Sequence, residues 1–395
     1  MKLVLMKSES DKKTYNFLGS MPEGLIFTRS SSATYVNNLG VYVTALTDSP
    51  RISYDPNTLN PLGLSNEESR TNNVLQSRSF NTTWVKSAVT VAGSQESKWG
   101  DSSAYSITST TTSNRLEQSI TVSDAVTYTV SMIVKAGTLS VPQLRIDNNS
   151  KVYQVSYDTT TGIATSTGTT APLSIFMTNL GGGFYRCAFS YLSGAASSIV
   201  RVYPNGAGSI ILDYAGHENG TFPTSPILTT VSVATRAVEI TYKVLSSKEL
   251  ALFSTSGTMV AKVNVPYPVP VHRAYTAALS DGTDLNLVGG FFEVGGVPTG
   301  GAVVGGAAPV LSGQTLDTLL LNETLKLATS YKVGANLFSA RGLLDTAGAF
   351  GADGVPTITR IEFGNRMSGD RALNGYIAEV TLRQYTSTPE TLTGA

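Results

Sequence analysis

Few residues in this chain have the type and spacing for acid–base or metal chemistry. The histidines are two, His217 and His272, and they are far apart in sequence. Histidine titrates near neutral pH and often ligates zinc. With no HExxH spacing, each is read as exposed or as a hydrogen-bonded structural residue. The single cysteine, Cys187, excludes an intrachain disulfide and a cysteine-based zinc site, and fits a reducing place of synthesis. Neither a GxxxxGK[ST] phosphate loop nor a GxSxG elbow occurs. Gly181-Gly182-Gly183 leads into Phe184-Tyr185-Arg186 and reads as a turn before a strand. Glycoside hydrolysis needs two carboxyl groups across a cleft. The acids, from Glu67-Glu68 to Glu379, are scattered and no pair stands out. No nucleophile, base and orienting group can be assembled, so the chain is expected not to be an enzyme.

Binding is the better-supported chemistry. Ser280-Asp281-Gly282-Thr283-Asp284-Leu285-Asn286 offers oxygens at odd spacing. Calcium takes about six to eight oxygen ligands, which makes Asp281 and Asp284 calcium candidates. The alternative is a turn, because Asp-Gly is a strong turn dipeptide. Asp345 and Asp353 bracket a Gly-rich loop and raise the same question. No other cofactor is implied. The chain holds 18 Tyr, 13 Phe and 2 Trp, and aromatic faces can stack on the apolar faces of sugar rings. Trp84, in Thr83-Trp84-Val85, is expected to anchor a core. Trp99 precedes Gly100-Asp101 in a turn and is the ligand-binding candidate. The Gly/Ala-rich segment 289–313 reads as a surface loop, with a binding role as the alternative.

Composition narrows the partners. Lys plus Arg is 28 and Asp plus Glu is 28, so net charge is zero. Charged residues make up 14%, below the roughly 25% of an average soluble protein. The densest basic run is Lys12-Lys13, so nucleic acid is not an expected partner. The stretch Leu3-Val4-Leu5-Met6 is too short for a signal-peptide core. No apolar run reaches about 18 residues, so no membrane insertion is expected. A neutral surface rich in Ser, Thr, Asn and Gly suits neutral polar ligands or other protein subunits.

The elements that position these residues are strands. Tyr128–Val134, Val152–Tyr157 and Tyr376–Leu382 alternate inward and outward residues, as half-buried strands do. Gly, Pro, Asn and Asp punctuate such runs about every ten residues, which suggests antiparallel sheets. Short helices are expected at 246–250 and 389–392. The fold class is all-β, in three blocks. Residues 1–73 form an extended or hairpin-rich arm whose apolar face rests on something else. Residues 74–232 form one β-sandwich and residues 233–395 another, with Phe222-Pro223-Thr224-Ser225-Pro226 near the boundary.

Several segments carry a family resemblance. Phe27-Thr28-Arg29-Ser30-Ser31-Ser32-Ala33-Thr34-Tyr35-Val36, Pro50-Arg51-Ile52 and Tyr54-Asp55-Pro56 resemble the "FTRaSxATYvd…PRfdYDP" opening of phage and prophage structural proteins. Glu67-Glu68-Ser69-Arg70-Thr71-Asn72 is similar to their "EeaRTN", and Gly220–Ile227 to their "G.fpTSyI". Thr235-Arg236-Ala237 is similar to "TRaaD", with Val238 and Glu239 departing at the last positions. Leu373-Asn374-Gly375-Tyr376-Ile377 resembles a late strand of concanavalin A-like, laminin-G-type sandwiches. The middle block is similar to carbohydrate-binding jelly rolls. The resemblance implies a bacteriophage virion protein, made in the host cytoplasm and carried on the tail or capsid surface. It would be a tail fibre or receptor-binding subunit for host-surface polysaccharide. Its partners would be other virion proteins, through the N-terminal arm, and copies of itself, a trimer being favoured. A capsid decoration protein is the alternative. A polysaccharide depolymerase is less favoured, because the short repeats of a β-helix are absent.

Overall fold

The structure, a computed structural model, describes residues 12–267, 272–307, 310–312, 317–320, 322–334, 336–345 and 354–394. Asp353 lies outside these residues, and so does the side chain of Asp345.

Side-chain parity decides the layers of the middle sandwich. In strand Thr127–Ala136, Tyr128, Val130, Met132 and Val134 point to one side. In strand Phe184–Leu192, Cys187, Phe189 and Tyr191 do the same. They meet Leu144, Ile146, Val155, Tyr157, Val200 and Val202 from the facing sheet in one core. Each fully buried aliphatic side chain of this kind contributes about 1.5–3 kcal/mol. The first sheet runs Ser174–Gly181, Phe184–Leu192, Thr127–Ala136, Gly208–Asn219, Ala104–Ser109, Thr90–Gln95. The second runs Ile163–Ser166, Lys151–Asp158, Gln143–Asn148, Ser197–Tyr203, Arg115–Thr121, Val85–Ser87. All pairings are antiparallel. Trp84 is 2% exposed and packs edge-on against Phe80 at 5.5 Å.

The second sandwich is built from both ends of the chain. One sheet runs Leu343–Asp345, Leu337–Ala340, Glu323–Lys332, Ser256–Val265, Gly375–Arg383, Pro61–Asn66, Ile52–Tyr54. Lys12–Asn16 pairs with the other half of Gly375–Arg383, beyond Pro61–Asn66. The facing sheet runs Ile26–Thr28, Ile240–Val244, Arg360–Phe363, Ala274–Ser280, Leu287–Phe292, Pro298–Val303, Val310–Ser312. Tyr15, Phe17 and Leu64 are buried in its core beside Val263, Phe292 and Phe363. Gly63, at φ +107°, lets the two strands close up: a Cβ there would stand 2.1 Å from the Ile377 carbonyl oxygen.

From Lys12 on, the segment expected as an arm therefore rests on the chain's own two sandwiches. Its hairpin, Ala33–Val36 with Tyr42–Ala45, covers the outer face of the middle sandwich. The chain passes between the sandwiches at Arg70–Asn72 and again at Ala234–Arg236, and the two crossings pair with each other. Helices form at Ser247–Phe253, closed by a Ser246–Glu249 capping box, and at Glu390–Thr393.

Candidate binding site at the junction of the two sandwiches

The outer face of the Thr127–Ala136 sheet is unusual for a half-buried sheet, because it is also apolar. Phe184, Ile133, Tyr214 and Leu180 lie on it and pack against Val36 and Tyr42 of the hairpin. Across the ladder Thr178, Arg186, Ile133 and Tyr214 stand side by side on adjacent strands. Arg186 is thus carried into a buried position by a strand whose other face fills the sandwich core.

Between this face, the hairpin and strand Gly375–Arg383 lies a cavity of about 430 Å³. Its walls include Tyr42, Arg51, Glu67, Phe176, Arg186, Phe222, Tyr267 and Tyr376. Tyr267 stacks on Phe222 with 5.4 Å between centroids, and Phe176 meets Tyr267 edge-on at 5.2 Å. Burial pushes the Tyr42 phenol up to about 12 and raises those of Tyr267 and Tyr376 as well. All three are neutral hydroxyls at ordinary pH.

Behind the cavity stands a buried ion network made from the sequence motifs. Glu239, fully buried, accepts from Arg29 Nη1 at 2.7 Å, from Arg51 Nε at 2.8 Å and from Arg51 Nη2 at 2.5 Å. The Glu67 backbone N–H donates to it at 3.0 Å. Glu67 itself pairs with Arg51 at 2.7 Å and Arg236 at 3.2 Å, and accepts from the Ser225 amide and hydroxyl. Burial opposes its ionisation, but Arg236, Arg51 and Ser225 outweigh that and hold Glu67 below the usual carboxylate range. Asn72 receives the His217 amide and donates to the Ile227 carbonyl. The Asn374 side chain accepts from the Glu68 amide at 3.0 Å. The two motif arginines near the N-terminus, the Glu-rich crossing, the Thr-Ser-Pro turn and the Thr-Arg crossing thus meet at one place. Glu239, which departs from the resembled pattern, still supplies the carboxylate on which Arg29 and Arg51 converge, with Glu67 as the second counter-charge of Arg51.

The sequence candidates stand elsewhere. Trp99 is half-buried one layer behind Tyr42, with ring centroids 4.9 Å apart, and the Arg78 guanidinium lies 3.9 Å over its ring. Its faces are occupied by protein. Asp281 Oδ1 accepts from the Thr283 amide and hydroxyl, and Oδ2 from Asn286 Nδ2, which is turn geometry. Asp284 faces Arg366 at 3.4 Å. Among the described residues no three His, Cys, Asp or Glu side chains are grouped to hold a metal. His217 is buried, its Nε2 is 2.8 Å from the Tyr191 hydroxyl, and burial lowers it to about 3. His272 lies 3.5 Å from Glu68. Arg186 and Tyr376 read in the sequence as strand residues, and nothing there marks them or Tyr267 as lining a cavity. The signal available was an arginine inside the strand Phe184–Leu192, where both faces are otherwise apolar or small.

No family model matches the chain, and no curated protein matches it. Similar solved structures include the CBM40 domain of Ruminococcus gnavus IT-sialidase bound to alpha2,3 sialyllactose. It is 11% identical, with 38% of this chain and 89% of that chain covered at a TM-score of 0.30. Domains LG4-5 of the mouse laminin alpha1 chain are 10% identical, with 80% and 93% covered at 0.25. Trypanosoma rangeli sialidase in complex with sialic acid is 11% identical, with 73% and 59% covered at 0.30. At these scores the assignment to antiparallel β-sandwiches rests on the chain's own strand pairing.

Proposed function

We propose that this protein is a non-enzymatic adhesion subunit that binds glycans, of the kind a bacteriophage particle displays as a fibre or receptor-binding protein. One observation carries the reading. The cavity at the seam is walled by stacked aromatic rings and neutral phenols, and of its two carboxylates Glu67 is paired with Arg51 and Arg236 while Asp55 accepts from the Asn57 and Thr58 amides. Aromatic walls suit the apolar face of a sugar ring, and phenols and guanidinium groups suit its hydroxyls. Hydrolysis of a glycosidic bond would need one carboxyl held protonated as general acid. Glu67 is held in the opposite direction by two arginines. Glu362 has a raised pKa, but it is 2% exposed in the other sandwich and takes the Ser280 hydroxyl at 2.6 Å.

The motif resemblance adds the particle context. The motif residues tie residues 27–72 to both sandwiches, so contact of this part with a particle or with further copies of the chain would be made by its outer surface. A glycan array with the full chain tests the adhesion reading: retention of defined oligosaccharides is expected, and Tyr267→Ala should abolish it while the fold is kept. An array on which nothing is retained above background overturns the reading. Antibody labelling of particles tests the virion placement, and label on neither head nor tail sinks it.

A further inference from the structure

The junction cavity holds an arginine that the protein does not fully pair. Arg186 is 5% exposed and lines the cavity wall. Its Nε has no hydrogen-bond partner among the described residues. Its Nη2 reaches Ser131 Oγ at 3.4 Å and Glu218 Oε1 at 3.9 Å. Charge-assisted hydrogen bonds of this type run at about 2.7–2.9 Å, so both contacts are long. Glu218 is committed elsewhere: Oε1 accepts from the Thr224 amide at 2.9 Å and Oε2 from the Thr224 hydroxyl at 2.5 Å.

The surrounding charges do not cancel. Arg29, Arg51, Arg186 and Arg236 face Glu67, Glu218 and Glu239, which leaves one positive charge in the buried network. Arg70 is matched separately by Glu68. A buried guanidinium without a full partner is costly to the fold. A ligand with one negative charge, presented in a plane that fits the guanidinium fork, would complete it.

We propose that the junction cavity binds an acidic sugar, with its carboxylate against Arg186 and its ring against Tyr267, since Tyr267 and the Arg70 guanidinium already cover the Phe222 ring. The inference rests on the adhesion reading above and names its ligand class. The Asp55 carboxylate also lines the cavity, held by the Asn57 and Thr58 amides, so Arg186 is the one cation left for a ligand and a carboxylate is favoured over a phosphate dianion. The cavity volume of about 430 Å³ lies within the span of roughly 300–1,000 Å³ typical of small-molecule sites. The Tyr42 and Tyr376 phenols line the same space and can donate to ring hydroxyls.

The test is calorimetric titration of the intact protein with uronic-acid oligosaccharides, with the same sugars as methyl esters, and with neutral oligosaccharides. Acidic sugars should bind, and esterification should weaken them about ten- to hundredfold, the worth of one hydrogen-bonded charge pair. Arg186→Gln should give the same loss for acidic sugars and abolish the difference between acid and ester. Arg186→Lys should recover part of it. If Arg186→Gln does not fold, the ester comparison with the unaltered protein decides by itself. Equal affinity for acid, ester and neutral sugar overturns the inference and leaves the adhesion reading standing. Binding of none of them overturns both. Competition by inorganic phosphate as strong as by the free uronic acid also overturns it, because the site would then be a general anion site.

Discussion

Replacement of Glu239 by alanine removes the acceptor on which two buried arginines converge. Arg29 and Arg51 are each 1% exposed. They spend three hydrogen bonds on this carboxylate, between 2.5 and 2.8 Å. Arg51 keeps Glu67 and the Thr34 carbonyl, whereas Arg29 keeps only backbone carbonyls. One guanidinium is thereby left buried without a counter-charge. Breaking a buried pair from one side costs about 3–5 kcal/mol. At roughly 2–4 °C per kcal/mol for a domain of this size, the melting midpoint should fall by about 6–20 °C. Strands from the N-terminal segment and both crossings meet here, so the two sandwiches should lose their shared transition together. The assay is urea and thermal unfolding followed by tryptophan fluorescence, which reports Trp84 and Trp99 of the middle sandwich, alongside far-ultraviolet circular dichroism. Arg29→Met with Glu239→Leu is the companion variant. It removes both charges and should recover much of the loss. A single-variant cost below about 1 kcal/mol, the scale of an exposed ion pair, would refute the reasoning, since the network would then be solvated.

Three further outcomes follow from the same geometry. Burial raises Glu362 from 4.5 to about 7, against Ser280 and Arg360. The folded protein thus holds this proton longer than the unfolded chain, and the group's contribution to stability, roughly 3 kcal/mol at most, is present below pH 4.5 and lost as pH rises to 7. Glu362→Gln should remove that decline in melts taken across pH 4.5–8; an unchanged slope counts against a buried carboxyl. His217 has the opposite sign: burial lowers it to about 3, so stability should fall as pH drops from 6.5 towards 3, and His217→Gln should lose that dependence. Gly63→Ala should destabilise by about 1–3 kcal/mol from backbone strain alone, with the clash on Ile377 added, read as a lower urea midpoint; an unchanged midpoint would show that the two strands separate freely there.

The sequence by itself determined the local structure. Period-two alternation fixed strands such as Thr127–Ala136 and Gly375–Arg383, because a strand in a sandwich must send alternate side chains to the core. The Ser246–Glu249 spacing fixed a helix start, and Trp84, bulky and apolar, went to the core as its chemistry requires. Alternation says which residues share a face, not what covers that face. Nothing in Phe27–Val36 or Pro50–Pro56 reveals that Arg29 and Arg51 meet Glu239 about two hundred residues later in the chain. The assignment of Trp99 to ligand binding missed Arg78 and Tyr42, which reach it only through the fold. The cavity depends on three separate segments closing over one sheet face, so Arg186 looks like an ordinary strand arginine until they do. Tertiary structure decided the site because charge pairing and burial depend on distance in space, and distance along the chain does not encode it.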